Sequence, residues 1–249
     1  MKTKALLVIP AAFLFVGALA LAGPQSKPAP EVSKMENYTT ASTMSYPSSV
    51  VELFTSQGCS SCPPANKLVR EIVGTQDLLA LTYSVDYWDY LGWKDTLGSP
   101  TFSDRQRKYG KKQFQGQVYT PQIVLNGESH AARYKPTQLT AHKLDNTAAG
   151  VTLDKLEDGL AVKANGQEGV LFEVRYTPGT QSVPVSRGEN RGRTITLANV
   201  VTSVEKVGSW SKGDGFETVL PLPAKGEAVA LLVQDGEGGP ILTAANYIP

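Results

Sequence analysis

Val50-Val51-Glu52-Leu53-Phe54-Thr55-Ser56-Gln57-Gly58-Cys59-Ser60-Ser61-Cys62-Pro63-Pro64-Ala65 decides the fold of this chain. Val50 to Phe54 is an apolar, strand-like run, and Thr55-Ser56-Gln57-Gly58 is a turn. From Ala65 to Val73, the residues Leu68, Ile72 and Val73 give a helix one apolar face. Pro63 and Pro64 fall in the first helical turn, where a missing N–H does least harm. Cys59 and Cys62 are the only two cysteines in 249 residues. At a strand-to-helix turn they meet the free N–H groups and partial positive charge of a helix start, and both favour a thiolate. Cys59 lies outermost with small neighbours Gly58, Ser60 and Ser61, so it is the expected nucleophile. Cys62, one turn in, is the expected resolving thiol. Nothing between the cysteines is cationic, which argues against a very strong oxidant. The competing reading is a fixed disulfide stapling the helix start, although so small a ring adds little chain-entropy stability.

The bulk composition narrows the function. Lys+Arg number 24 against 23 Asp+Glu, a formal charge of +1, so no basic surplus points to nucleic acid. Residues 1–22 read as a secretory signal peptide. Lys2 and Lys4 precede the uncharged, mostly apolar stretch Ala5 to Ala22, which ends in small-x-small cleavage patterns. An uncleaved anchor is the alternative, interrupted by Pro10, and only then is a membrane contact expected. Residues 23–49, rich in Pro, Ser, Thr and Lys, read as a flexible linker. Export to the periplasm or cell envelope follows, and in an oxidising compartment the cysteine pair is expected as a disulfide.

Further along, Leu78 to Val85 is a second strand, and Asp86 to Asp95 is a loop dense in aromatic and acidic residues. Ser103-Asp104-Arg105-Gln106 reads as a capping box for a polar helix running to about Gln115. Asn126-Gly127 is a hairpin signal after the strand that Pro121 opens, and Pro136 to Leu144 reads as a short helix. Residues 50–150 thus give the order β-α-β-α-β-β-α. From Val151 to 249 the texture becomes alternating and β-branched, with Gly and Pro turns: Leu160–Lys163, Val170–Tyr176, Thr194–Leu197, Val200–Val207 and Ala228–Gln234. The expected fold class is therefore α+β/α/β: one α/β domain over 50–150, followed by an all-β module, sandwich- or barrel-like, over 151–249.

The element order, with Cys-x-x-Cys after the first strand and Thr-Pro before the third, resembles the thioredoxin fold. The segments 51–65, 85–95, Tyr119-Thr120-Pro121-Gln122 and Arg187-Gly188-Glu189-Asn190-Arg191-Gly192-Arg193-Thr194 resemble a family of secreted bacterial thioredoxin-like proteins known mainly as a domain of unknown function. The resemblance implies that Pro121 is cis, faces the cysteines and leaves the Thr120 backbone free to pair with an extended substrate. It also implies that Glu52 lies beneath Cys62 as a base for the resolving thiol, the alternative being an exposed strand carboxylate. Where members of that family tend to carry a histidine, this chain has Ser84.

Trp88 and Trp93 are expected to wall a groove beside the thiols or to pack as a small satellite core. The charged loop Arg187–Arg193 either docks on the first domain or is simply solvated. The leading function is thiol–disulfide exchange with protein thiols or a redox partner, with Cys59, Cys62, Pro121 and Glu52 in catalytic roles and Thr120, Trp88 and Trp93 binding substrate. One alternative is a non-enzymatic envelope binding module with a structural disulfide. The other is a Cu(I)-handling protein using Cys59, Cys62 and His130 or His142, neither histidine having diagnostic spacing. No cofactor and no metal are expected, because no phosphate loop, catalytic triad or ligand pattern is present.

Overall fold

The computed structural model describes residues 43–75, 77–144 and 149–249. The expected signal over 1–22, and the expected linker up to residue 42, lie outside the described residues.

The strand β2 (Ser49–Thr55) is buried along its whole length. Its alternation sends Val51 and Leu53 to one face, where Ala65, Val69 and Ile72 of α1 (Pro63–Ile72) cover them, and Val50 and Phe54 to the other. Strand β3 (Leu78–Ser84) lies parallel to β2, joined to it through α1. The helix α2 (Pro100–Gln113) starts at Ser99, whose hydroxyl accepts from the Thr101 N–H at 3.3 Å. It therefore begins earlier than the Ser103 box suggested. Ser103 is instead buried and donates from its hydroxyl to Asp86. Strand β4 (Gln122–Leu125) runs antiparallel to β2 and turns through Asn126 and Gly127, both at positive φ, into β5 (Ser129–Ala131). The helix α3 (Pro136–Ala141) follows.

The remaining strands are β6 (Ala149–Lys155), β7 (Leu160–Gly166), β8 (Gly169–Pro184), β9 (Thr194–Trp210), β10 (Phe216–Leu220), β11 (Ala228–Gln234) and β12 (Ile241–Ile248). Thr43–Ser45, within the stretch read as linker, forms β1 and pairs with β12.

These strands correct the expected fold class. The chain does not form an α+β/α/β thioredoxin-like domain followed by an all-β module. It is predominantly β, and nine strands make one mixed sheet in the order β1-β12-β11-β8-β9-β3-β2-β4-β5. The seam is β3 against β9, parallel, with Thr82 opposite Val200. Side chains stitch it: the Thr82 hydroxyl donates to the Ala198 carbonyl at 2.6 Å, and the Asn199 amide donates to the Ala80 carbonyl at 2.9 Å. One core below α2 runs through both halves, from Phe54, Tyr83, Phe102 and Tyr109 to Phe172, Val174, Val201 and Leu232. The strands β10-β7-β6 form a second sheet. It packs Leu153, Leu160 and Val162 against Leu171, Val229, Leu231 and Tyr247. A largely apolar strand such as β3, buried on both faces, belongs inside a sheet, and here the late strand β9 supplies its second neighbour. Among the described residues no helix is long and apolar enough to cross a membrane.

Candidate functional site

The turn after β2 delivers Cys59 and Cys62 to the start of α1, where they are joined as a disulfide. Cys62 is the N-cap of α1, and its carbonyl accepts the first helical N–H groups, from Ala65 at 3.0 Å and Asn66 at 3.1 Å. Pro63 and Pro64 follow at the first two helical positions, where their missing N–H groups cost the helix nothing. The Ser61 hydroxyl lies 3.3 Å from Cys59 Sγ.

Gln57 organises the turn. Its backbone N–H donates to Asp95 Oδ2 at 2.7 Å. Its side-chain carbonyl accepts from the Trp93 indole at 2.9 Å, and its amide donates to Thr96 at 3.1 Å. Asp95 is 2% exposed and also accepts from the Leu97 N–H at 2.9 Å. Burial pushes its carboxyl up to about 6, opposed by the N–H groups of Gln57 and Leu97. Trp88 packs beside Gly58, and its indole donates to the Thr120 hydroxyl at 2.8 Å. The Thr120–Pro121 peptide is cis, and Pro121 is buried. The structure thus brings Cys59, Cys62, Trp88, Trp93 and Thr120-Pro121 to one corner.

Glu52 lies elsewhere. On β2 it shares its face with Val50 and Phe54, opposite the α1 face. Fully buried, it binds Arg105 of α2 through both oxygens, at 2.7 Å to Nε and 3.1 Å to an Nη, and accepts from Tyr109. Arg105 also donates to Gln234 of β11 at 3.1 Å. Its guanidinium stands 5.1 Å from the ring centres of Tyr109 and Phe172. Burial, reinforced by the Glu52 carboxylate and opposed by the Arg105 guanidinium, drives the Tyr83 and Tyr109 hydroxyls well above the usual tyrosine range, and Glu52 holds the guanidinium charged against its own burial.

The loop joining β8 to β9, residues 185–193, covers the cysteine corner. Asn190 is fully buried, and its amide donates to the Gln57 carbonyl at 2.9 Å and the Cys59 carbonyl at 2.8 Å. The Ser60 N–H donates to Glu189 at 3.1 Å, and hydrogen bonds from Ser60 hold the Glu189 carboxyl below the usual carboxylate range. Gly188 packs against Trp93. Both cysteines are 0% exposed.

Neither histidine joins this corner. His130 on β5 stacks on Phe114, with Nδ1 against Tyr119 and Gln122, while His142 faces Glu128. Among the described residues, no group of three or more His, Cys, Asp and Glu is placed to hold a metal ion. Ser84 is buried, with its hydroxyl unpartnered.

A family described as "Protein of unknown function (DUF1223)" matches residues 50–234, from β2 to β11. The chain belongs to this family. The DUF1223 match takes in the sheet from β11 to β5, on both sides of the β3–β9 seam, and the loop over the cysteines. A crystal structure of an Agrobacterium tumefaciens protein, solved as a structural-genomics target, is similar at 31% identity and a TM-score of 0.64. The match covers 80% of this chain and 93% of that one. No curated protein matches.

Sequence reasoning missed Gln57, Asp95 and Asn190 as individuals. Asp95 lay at the end of a loop singled out for its aromatics. Asn190 lay in the charged loop Arg187–Arg193, where the two glycines around it were the available signal.

Proposed function

We propose that this protein exchanges thiols and disulfides with partner proteins through Cys59 and Cys62, outside the cytoplasm. The observation that carries the reading is a disulfide between the chain's only cysteines at the N-terminal cap of a helix. The charged residues of the N-terminal segment and the apolar run behind them support export.

The electrons balance as follows. A partner thiolate attacks Cys59 Sγ, the Cys59–Cys62 bond breaks, and Cys62 leaves as a thiolate with the bonding pair. The dipole of α1 favours that thiolate; Pro63 and Pro64 carry no N–H, and those of Ala65 and Asn66 bond the Cys62 carbonyl. A second partner thiolate then attacks the partner's sulfur in the mixed disulfide and expels Cys59. The partner loses two electrons, the pair gains two, and an external disulfide oxidant restores it. Trp88 and Thr120-Pro121 flank the incoming chain. Glu52, bound to Arg105 on the opposite face of β2, has no part in the step.

The test is the equilibrium reduction potential of the pair together with trapping. A potential above about −250 mV, with mixed disulfides accumulating in Cys62→Ser and exchange abolished in Cys59→Ser, is the expected result. A potential below about −300 mV, with no mixed disulfide in Cys62→Ser, marks a structural staple instead.

A further inference from the structure

A buried disulfide that trades electrons needs a way to be uncovered, and the loop between β8 and β9 is built for this. Its two ends are fixed. The strands pair up to Pro184 opposite Thr194, and Val185 closes the base with bonds to Arg193 at 2.9 Å and Gly192 at 2.8 Å. The Val185 side chain is anchored among Ile195, Leu197 and Val200. Between these anchors the segment 186–192 contributes one buried side chain, Asn190. Gly188 and Gly192 bracket it at φ of 73° and 78°, conformations that glycine enters and leaves at little cost. The surrounding charged side chains, Arg187, Glu189, Arg191 and Arg193, are exposed. A cavity of about 100 Å³ lies beside the root of β9, lined by Pro63, Asn66, Arg70 and Thr194–Thr196.

We propose that residues 186–192 are a latch over the Cys59–Cys62 disulfide, and that Asn190 is the residue that keeps it shut. Its amide fills the carbonyls of Gln57 and Cys59, the backbone on either side of Gly58, so a partner reaches the sulfurs only after those two bonds are released. The latch is the regulation of the exchange site proposed above and rests on that reading for its purpose. It makes exchange selective for partners able to displace the loop, and it hides the pair from casual thiols. The Glu189 bond to Ser60 is exposed to water and adds little to the closure.

The experiment measures reduction of the oxidised protein by dithiothreitol, whose two thiols supply the two electrons, over a range of reductant concentration. Wild type reaches a plateau set by opening of the latch. In Asn190→Ala, losing two buried hydrogen bonds raises the initial rate about 10- to 100-fold, while Glu189→Ala changes it less than about threefold. Asn190→Leu, which removes the amide, its bond from Arg193 at 3.2 Å and any polar substitute for them, opens the latch at least as far and guards against a special effect of the alanine. A wild-type rate in both Asn190 variants overturns the latch. So does a rate that rises only in proportion to global unfolding in urea. Failure of the exchange reading looks different: fast reduction of Asn190→Ala by dithiothreitol with no transfer to a reduced, unfolded protein substrate leaves the latch standing and removes the function.

Discussion

Replacing Arg105 with methionine tests how the strands on the two sides of the β3–β9 seam are held together. Arg105 is 5% exposed and Glu52 is 0% exposed. The substitution leaves a carboxylate in the core with only Tyr109 as a donor, and leaves the Gln234 carbonyl without its Arg105 partner. Breaking a buried pair from one side costs about 3–5 kcal/mol, because the remaining charge keeps its desolvation penalty. For a chain of this size each kcal/mol moves the melting temperature by about 2–4 °C, so a fall of roughly 6–20 °C follows. Glu52→Leu in the same background removes the orphaned charge. The Tyr109–Gln234 bond at 3.0 Å survives, and the double variant recovers more than half of the loss. Urea unfolding followed by tryptophan fluorescence and by far-UV circular dichroism provides the assay. The cluster joins β2, α2 and β11, so the two signals shift together. A loss below about 1 kcal/mol in Arg105→Met, a double variant no better than the single, or a shift in one signal alone refutes the reasoning.

Two further outcomes follow from the site and the hairpin. The Asp95 carboxyl titrates near 6 when folded and at 3.8 as its ordinary value. The folded state therefore holds its proton more tightly, and this stabilisation is full below about pH 4 and lost as pH rises through 6, a change of about 3 kcal/mol. The difference in urea midpoint between wild type and Asp95→Asn should shrink from pH 4.5 to 7.5 by that sign, and a pH-independent difference would remove the assignment. Gly127→Ala meets two obstacles, a φ of 69° and a Cβ placed 2.6 Å from the Gly239 carbonyl. It should cost roughly 2 kcal/mol or more in a thermal melt, and an unchanged melt would show that the Gly239 turn yields freely.

Local chemistry made part of the fold legible. The apolar run into a Cys-x-x-Cys turn, the prolines that open α1 and the Asn-Gly hairpin each fix a conformation within a few residues, and the elements from β2 to α3 appear in the order read. Two things lay beyond that reach. Nothing in Leu78–Ser84 announces that its second neighbour is β9, since a largely apolar strand records that it is buried, not by what. For the same reason, Thr194–Leu197 and Val200–Val207 looked like two strands of a separate module, while they are one strand bent at Asn199, φ 46°. In the site, the cysteine pair was legible because its spacing is itself the signal. Glu52 was not, because its partner Arg105 is 53 positions away. Asn190 lies 131 positions from Cys59, and a lone asparagine between glycines reads as a turn until the carbonyls it meets are known.

The seam between β3 and β9 has a consequence for the birth of the molecule. Thr82 of β3 takes its partner from Ala198, 116 positions later. At about 5–20 residues per second, a ribosome takes roughly 6–23 s to close that gap. Throughout that time the nascent chain presents an apolar strand with an unpaired backbone edge, ready to zip onto any similar strand. Shielding of β3 during those seconds therefore protects the nascent chain from such pairing.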